Sequence, residues 1–166
     1  ATVISALDNP SRDVRVSALR ISERWLGDQS SPAVAAVLKR AADTDPAVRR
    51  QLAATLGELQ AGPQKEDAIA TLLGQHGDDP ITVDAALSGV QGSEPVVFDK
   101  VLQAAGPVQS AALDGAIPML AAAIARSSNE TAIQRLFATV TEEDRAAWQR
   151  SAVLRGSFSR SSSTFC

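Results

Sequence analysis

The sequence predicts an all-α protein built as a superhelix of about four to five stacked helix pairs. Apolar residues recur at the spacing of an α-helix along most of the chain. A helix that begins with Pro46 is echoed downstream by one that begins with Pro80, and the same interval upstream reaches a third copy. We call the interval from Pro46 to Pro80 the repeat spacing. A shorter helical stretch precedes each copy, and two-helix units that repeat every ~34–45 residues are typical of an alpha solenoid.

The best-preserved unit lies in the stretch DTDPAVRRQLAATLGEL, residues 43–59. Asp45 can cap the helix by accepting a backbone N–H, and Pro46 suits the first helical position, where its missing N–H costs nothing. The predicted buried stripe consists of Val48, Leu52, Thr55, Leu56 and Leu59. We expect Leu52→Ala to cost about 2–5 kcal/mol of stability, and Arg50→Ala to be nearly silent because Arg50 lies off the stripe.

The neighbouring units follow the same repeat spacing. The upstream copy of the stripe consists of Val14, Ala18, Ile21, Ser22 and Trp25, and the downstream copy keeps Ala86 and Val90. The shorter preceding helices are ATVISAL, SPAVAAVLKRAA and KEDAIATLLGQ. Since Trp25 falls on the stripe, we expect it to be a core residue, and we expect the same of Trp148.

Beyond residue 92 the repeat loosens but the helical pattern continues. Four further helices are predicted: one near Ser93, a long one after Gly106, one in SNETAIQRLFATV and one in TEEDRAAWQRSAVLRG. Pro118 should break or kink the long helix near residues 114–117. We predict a repeat domain over residues 1–156 and a Ser-rich, disordered tail over residues 157–166.

Composition narrows the function classes. The net charge of −3 and the pI of about 5.1 argue against nucleic-acid binding, which requires clustered Lys and Arg. The one cysteine, Cys166, excludes an internal disulfide and a CxxC haem or metal motif. No apolar run reaches the ~20 residues of a membrane span. The first residues lack the order of a signal peptide, which suggests an excised or mature fragment of unknown compartment.

The middle of the chain is acidic. Residues 51–114 carry nine acidic and two basic side chains. This band is either a solvated outer face, which is the commoner case, or a docking surface for a basic partner. The candidate docking residues are Glu66, Asp67, Asp78 and Asp79.

No combination of residues predicts catalysis, and we assign no catalytic, cofactor-binding or metal residue. His76 lies beside Asp78 and Asp79, but zinc normally requires three or four ligands. A turn whose aspartate caps the next helix is the favoured interpretation. No GxSxG elbow or phosphate-binding loop occurs. The sequence therefore predicts a protein that is not an enzyme and has no cofactor.

One alternative involves DNA. Arg12, Arg15, Arg20 and Arg24 share one predicted helix, which could line a basic groove. The high acid count and the position of Trp25 on the apolar stripe favour a solvated helix face instead.

The motif DPAVRR resembles HEAT repeats, which carry an Asp near the turn between the two helices and a Val–Arg pair early in the second helix. Asp43, Val48 and Arg49 match this pattern, and so do Val14 and Arg15, with Asn9 in place of the Asp. In that family the Asp and Arg form a ladder between adjacent turns. The resemblance implies that Asp43, Arg15 and Arg49 are structural, and that the chain binds a protein partner or neighbouring domains on a concave surface lined by the second helices.

The third unit departs from the pattern. Thr82 and Val83 stand where the arginine should be, and Asp84 follows. We therefore expect the ladder to stop there or to change chemistry. Some DNA glycosylases are also HEAT-like, so the resemblance keeps the DNA alternative open.

The order of the phrases DPAVRRQLAATLGEL, ATLLGQHGDDPITVDAALSGV, AAAIARSSNETAIQRLF and WQRSAVLRG is similar to the helical region of bacterial putative membrane-bound dehydrogenases. Those proteins join a beta-propeller to HEAT-like repeats and a c-type haem domain. This resemblance implies that the chain is a segment of a larger bacterial protein, periplasmic or extracellular. The redox chemistry would then lie outside this segment.

Overall fold

Residues 2–158 are described by a computed structural model, and within that range the chain forms ten α-helices and no strand. The helices are α1 Thr2–Ala6, α2 Arg12–Ser22, α3 Pro32–Leu38, α4 Pro46–Leu56, α5 Pro63–His76, α6 Pro80–Gly89, α7 Glu94–Ala104, α8 Ala111–Arg126, α9 Glu130–Thr141 and α10 Ala147–Ser157. Short 3₁₀ turns, Glu23–Trp25 and Lys39–Ala42, extend α2 and α3. The all-α prediction is confirmed.

The helices form five consecutive pairs, and the second members of the pairs pack in series. We call α2, α4, α6, α8 and α10 the B row, because each contacts the next along the array. The first members α1, α3, α5 and α7 form the A row, in which α5 contacts the turn after α3. α9 packs on α8 and α10.

Prolines and capping side chains set where the helices begin. α3, α4, α5, α6 and α7 all carry proline in the first two positions, where a missing N–H costs nothing. Asp45 accepts the Ala47 N–H at 2.8 Å ahead of Pro46, and Asp79 caps α6 in the same way through the Ile81 N–H. The sequence repeat therefore reappears as a repeated helix start.

The core lies between the two rows and is built mainly from Leu, Val, Ile and Ala. The predicted stripe of α4 is confirmed, since all of its residues are almost completely buried. Its members are Val48, Leu52, Thr55, Leu56 and Leu59.

The upstream copy of the stripe is only half right. Ala18 and Ser22 are buried, but Val14, Ile21 and Trp25 are exposed, so the core assignment of Trp25 is wrong. The reason is that α2 covers the corresponding side of α4, whereas no helix within residues 2–158 covers that side of α2.

Trp148 lies partly buried against the core, and its indole Nε1 donates to the Pro107 carbonyl oxygen at 2.9 Å. Of the two outcomes expected at Pro118, a break or a kink, the break does not occur, because α8 runs through the proline from Ala111 to Arg126. Ile117 and Leu120 on either side of the proline are fully buried, so tertiary packing holds this helix together. α10 includes Ser157, and residues 159–166 of the predicted tail lie outside the described residues.

Two pairs of glycines allow backbones to approach closely. A Cβ at Gly89 would lie 2.7 Å from the Gly57 Cα, where α4 meets α6. A Cβ at Gly115 of α8 would meet the Gly77 carbonyl group after α5. Side chains at these positions would push neighbouring helices apart, so the glycines fix the spacing of the array.

Candidate interaction surface

Arg15 and Asp43 join the first helix pair to the second. Arg15 Nε lies 2.8 Å from Asp43 Oδ2, and Nη2 lies 3.0 Å from Oδ1. Arg15 Nη1 also donates to the carbonyl oxygens of Asn9 and Pro10 at 2.9 and 3.0 Å. This bidentate geometry ties two turns and a helix together, which is a structural role.

Arg40 adds a second cation to this cluster. Its Nη2 lies 2.7 Å from Asp8 Oδ1, and its Nη1 donates to the Leu7 carbonyl oxygen at 2.9 Å. Burial alone would raise the pKa of Asp43, but the hydrogen bonds from Arg15 and from the Asp45 N–H, with the charges of Arg15 and Arg40, hold that pKa below its ordinary value. Asp43 therefore stays ionised.

Arg49 repeats only half of what Arg15 does. Its Nη1 donates to the carbonyl oxygens of Asp43 and Thr44 at 2.9 and 2.8 Å, as Arg15 does to the corresponding oxygens of its own turn. Gly77 lies one repeat spacing after Asp43 and has no carboxylate. The described contacts thus place Arg49 in the turn of its own unit.

We call the Arg15–Asp43 pair the first rung, and Arg50 forms a second rung with Asp79. Its Nε lies 2.7 Å from Asp79 Oδ2, and its Nη2 lies 3.2 Å from Oδ1. The hydrogen bond from Arg50, helped by those from the Thr82 hydroxyl and the Ile81 N–H, lowers the pKa of Asp79 to about 2 although burial opposes it. The sequence did not predict this bond, which joins Arg50 to the next unit.

Among the described residues, no arginine–aspartate rung joins the third unit to the fourth. Asp84 stands one repeat spacing after Arg50, so the cation is replaced by an anion. There the two units approach closely through the backbone at Gly77 and Gly115, and the ion pair between them is that of Lys100 with Asp67. As expected, the third unit does not continue the arginine–aspartate ladder.

The four candidate docking carboxylates within the acidic band do not form one patch. Glu66 and Asp67 lie in the first turns of α5, and Asp78 and Asp79 follow its last residue, on the order of 15 Å away along the helix. Asp67 pairs with Lys100 at 2.5 Å, and Asp79 is held by Arg50. Asp78 is the exposed member of the second pair.

The described residues contain no cluster of three or more His, Cys, Asp or Glu side chains that could hold a metal ion. His76 is the last residue of α5, ahead of the turn that Asp79 ends. A groove of about 670 Å³ lies between α5 and α7, and its charged side chains are Asp67 and Lys100, which pair with each other. Within residues 2–158, no helix is both long and apolar enough to cross a membrane.

The model of HEAT repeats matches residues 1–91, more than half of the chain. The chain belongs to the HEAT-repeat family. The matched region holds the first three helix pairs with both arginine–aspartate rungs, and α7 to α10 add two further pairs beyond it. Searches of curated proteins and of solved structures returned no match to the chain.

The arginines of α2 and of the turn after it do not form one basic groove on this HEAT array. Arg15 is held in the first rung, and Arg12 pairs with Asp13 at 3.4 Å. The Arg24 guanidinium lies over the Trp25 ring, 5.7 Å from its centroid. Arg20 is exposed.

The B row is nevertheless the more basic side of the HEAT array. Its five helices hold eight arginines and three aspartates, whereas the whole chain has a net charge of −3. Sequence reasoning missed this asymmetry because it counted charge along the chain and not by helix row. The signal was available, since helices alternate regularly between the two rows.

Proposed function

We propose that this HEAT array is a non-catalytic module that binds another protein, or a neighbouring domain, along its B row. HEAT repeats generally mediate protein–protein interaction. The observation that carries the proposal is the unbroken contact series from α2 to α10, in which the second helices of the five pairs lie side by side. The charged residues that might have served chemistry in the first three units, Asp43 and Asp79 among them, are held in rungs instead.

The charge of the B row favours an acidic partner. Arg20, Arg126 and Arg150 lie on three different B helices and form no ion pair with any other described residue. Unpaired surface arginines contribute most when an incoming carboxylate supplies the partner. Electrostatic complementarity of this kind gives specificity and a faster association rate.

We also propose that the module acts within a larger protein, where it docks neighbouring domains. The support is the order of sequence phrases that is similar to bacterial dehydrogenases, and the comparisons matched the repeat family alone. Protein binding by the B row does not depend on that narrower resemblance.

A photo-crosslinking amino acid, placed singly, tests the proposal. Ala54 and Ser88 are exposed on the B helices α4 and α6, and Ala35 and Gln103 are exposed on the A helices α3 and α7. In cells of the natural host, we expect one protein to be crosslinked from Ala54 and Ser88, and little or none of it from Ala35 and Gln103. Equal yields from both rows, or no crosslinked protein, would contradict B-row binding.

A further inference from the structure

Three apolar side chains form an exposed stripe on α2 and the turn after it. Val14, Ile21 and Trp25 are 38, 46 and 43% exposed. They lie seven and four residues apart, which places them on one side of the helix. A cavity of about 440 Å³ adjoins Trp25 and is lined by Ile4 of α1 and Pro32 of α3. A contiguous apolar surface of this kind marks an interaction site more often than scattered exposed residues do.

The next B helix indicates what covers this side. The positions one repeat spacing later, Val48, Thr55 and Leu59, are 0, 0 and 4% exposed because α2 lies against that side of α4. Glu23, which follows α2, accepts the Thr55 hydroxyl at 2.8 Å across this contact.

The α4–α6 contact repeats the arrangement. Gly89 is the counterpart of Thr55 in α6, and it lies against Gly57 at the end of α4. In both α4 and α6, therefore, the preceding helix of the B row covers this side. The stripe on α2 has the same register and lacks that cover within residues 2–158.

The border of the stripe is basic. Arg20 and Arg24 lie one helical turn apart next to Ile21, and neither forms an ion pair with any other described residue. The two nearby acids have other partners: Asp13 pairs with Arg12, and Glu23 accepts hydrogen bonds from α4. Ile21 lies at the centre of the stripe, and the corresponding residue of α4 is Thr55, which has a hydroxyl. A covering helix would thus meet an apolar centre with cations along one edge.

We propose that Val14, Ile21 and Trp25, bordered by Arg20 and Arg24, form a docking surface for an acidic amphipathic helix of a protein partner. This inference rests on the proposed protein-binding function and names one surface and one kind of ligand for it. The helix lies along α2 as α2 lies along α4, with its apolar stripe on Ile21 and its carboxylates on the two arginines.

A second copy of the chain fits this surface less well. Two copies placed face to face with antiparallel α2 helices would bring the edges that carry Arg20 and Arg24 together. A head-to-tail copy would present α10, on which Arg155 pairs with Asp114 of α8 and Arg150 forms no ion pair with any other described residue. Like charges brought together oppose association, so the charge favours a different, acidic chain.

The probe is a synthetic helical peptide of about 16 residues, with leucines three and four residues apart along one face, glutamates beside them and alanine elsewhere. Its matched control carries lysine in place of every glutamate. Binding is followed by two-dimensional NMR of the ¹⁵N-labelled chain. The chain has two tryptophans, so the Trp25 indole N–H reports on the surface and that of Trp148, bonded to Pro107, serves as the internal reference.

We expect the acidic peptide to shift the signals of Trp25 and α2 while the Trp148 indole signal stays in place. Ile21→Asp should weaken binding by at least about tenfold. The double variant Arg20→Glu, Arg24→Glu should reverse the preference, so that the lysine peptide binds better. Phe137→Asp on α9 is the matched control, because Phe137 is also 43% exposed and lies outside the stripe. Circular dichroism of each variant verifies that the helices are retained.

The proposal is overturned if Trp25 does not shift up to ~1 mM peptide, if the lysine peptide binds as well as the acidic one, or if Ile21→Asp binds normally. Sedimentation equilibrium without peptide is the remaining arm. A dimer that Ile21→Asp dissociates would assign the stripe to a second copy and also overturn it. Crosslinking from Ala54 and Ser88 with no peptide binding would remove this inference alone, whereas peptide binding without those crosslinks would remove the B-row function.

Discussion

Arg50 donates two hydrogen bonds to Asp79, from Nε at 2.7 Å and from Nη2 at 3.2 Å, across 29 residues of chain. Relative to the first rung, Arg15 with Asp43, the arginine has moved one residue and the aspartate two residues beyond the repeat spacing. The shift lets the carboxylate do two things, because Asp79 also caps α6. A helix start and a contact between units thus depend on one side chain.

Truncation of Asp79 should destabilise the fold. Asp79→Ala removes the cap of α6 and the acceptor of Arg50, and we predict a loss of about 1–2 kcal/mol, most of it from the cap. Asp78→Ala is the matched control, since Asp78 is exposed, and it should change stability by less than about 0.5 kcal/mol. Urea denaturation monitored by circular dichroism measures both. Equal effects of the two variants would mean that the rung and the cap contribute nothing.

The same residue should make stability depend on pH in acid. The pKa of Asp79 in the folded chain is about 2, below the ordinary value of 3.8. A lowered pKa means that the charged carboxylate stabilises the fold, fully above about pH 4, and that this contribution is lost as the pH falls towards 2. Asp79→Asn keeps a capping side chain but cannot titrate.

Between about pH 4 and pH 2, wild type should therefore lose more free energy of unfolding than Asp79→Asn does. Asp43 titrates in both proteins and cancels from the comparison. Unfolding curves at several pH values provide the measurement. Parallel pH profiles for the two proteins would refute the assignment of this acid-dependent stability to Asp79.

The stripe of α4 should matter more than the rung beside it. Leu52 is fully buried, so Leu52→Ala should cost about 2–5 kcal/mol through the cavity it leaves. Arg50→Ala should lower stability measurably, because it leaves Asp79 without its partner, yet by less than Leu52→Ala. The free energies of unfolding of the two variants test this order. The reverse order would mean that the Arg50–Asp79 pair contributes more to stability than the packing of Leu52.

Close backbone contact predicts opposite effects for two helical glycines. A Cβ at Gly115 would lie 3.0 Å from the Gly77 carbonyl carbon, and nothing lies within 4 Å of a Cβ at Gly74. Gly115→Ala should destabilise by about 1–3 kcal/mol because α8 must move. Gly74→Ala should stabilise by up to ~1 kcal/mol, since alanine favours the helix. Thermal unfolding of both variants tests these effects. Stabilisation by Gly115→Ala would mean that α8 lies farther from the Gly77 carbonyl group than the structure places it.

Much of the fold could be predicted because helix periodicity, proline and capping residues are local signals. The helix from Pro46 to Leu56 and the burial of Val48 and Leu52 follow from spacing alone. The exposure of Trp25 could not be predicted in this way. The same spacing that buries Leu59 leaves Trp25 open, because burial depends on whether a neighbouring helix is present.

The rungs were harder to predict than the helices, because they join residues that are far apart in sequence. Sequence reasoning assigned Arg49 to the ladder and Asp79 to a docking surface, whereas Arg50 and Asp79 bond to each other. A hint was present: Gly77 lies one repeat spacing after Asp43, so Arg49 had no carboxylate at that register. The adjacent Arg50 was the available replacement.

Hydrogen exchange along the chain, measured with and without the protein crosslinked from Ala54 and Ser88, tests the central claim most directly. The claim is that this HEAT array functions through the side chains of its B row. We predict slower exchange in α2, α4 and α6 on binding, and unchanged exchange in α3 and α5. Protection confined to the A helices, with the B row unchanged, would contradict the claim.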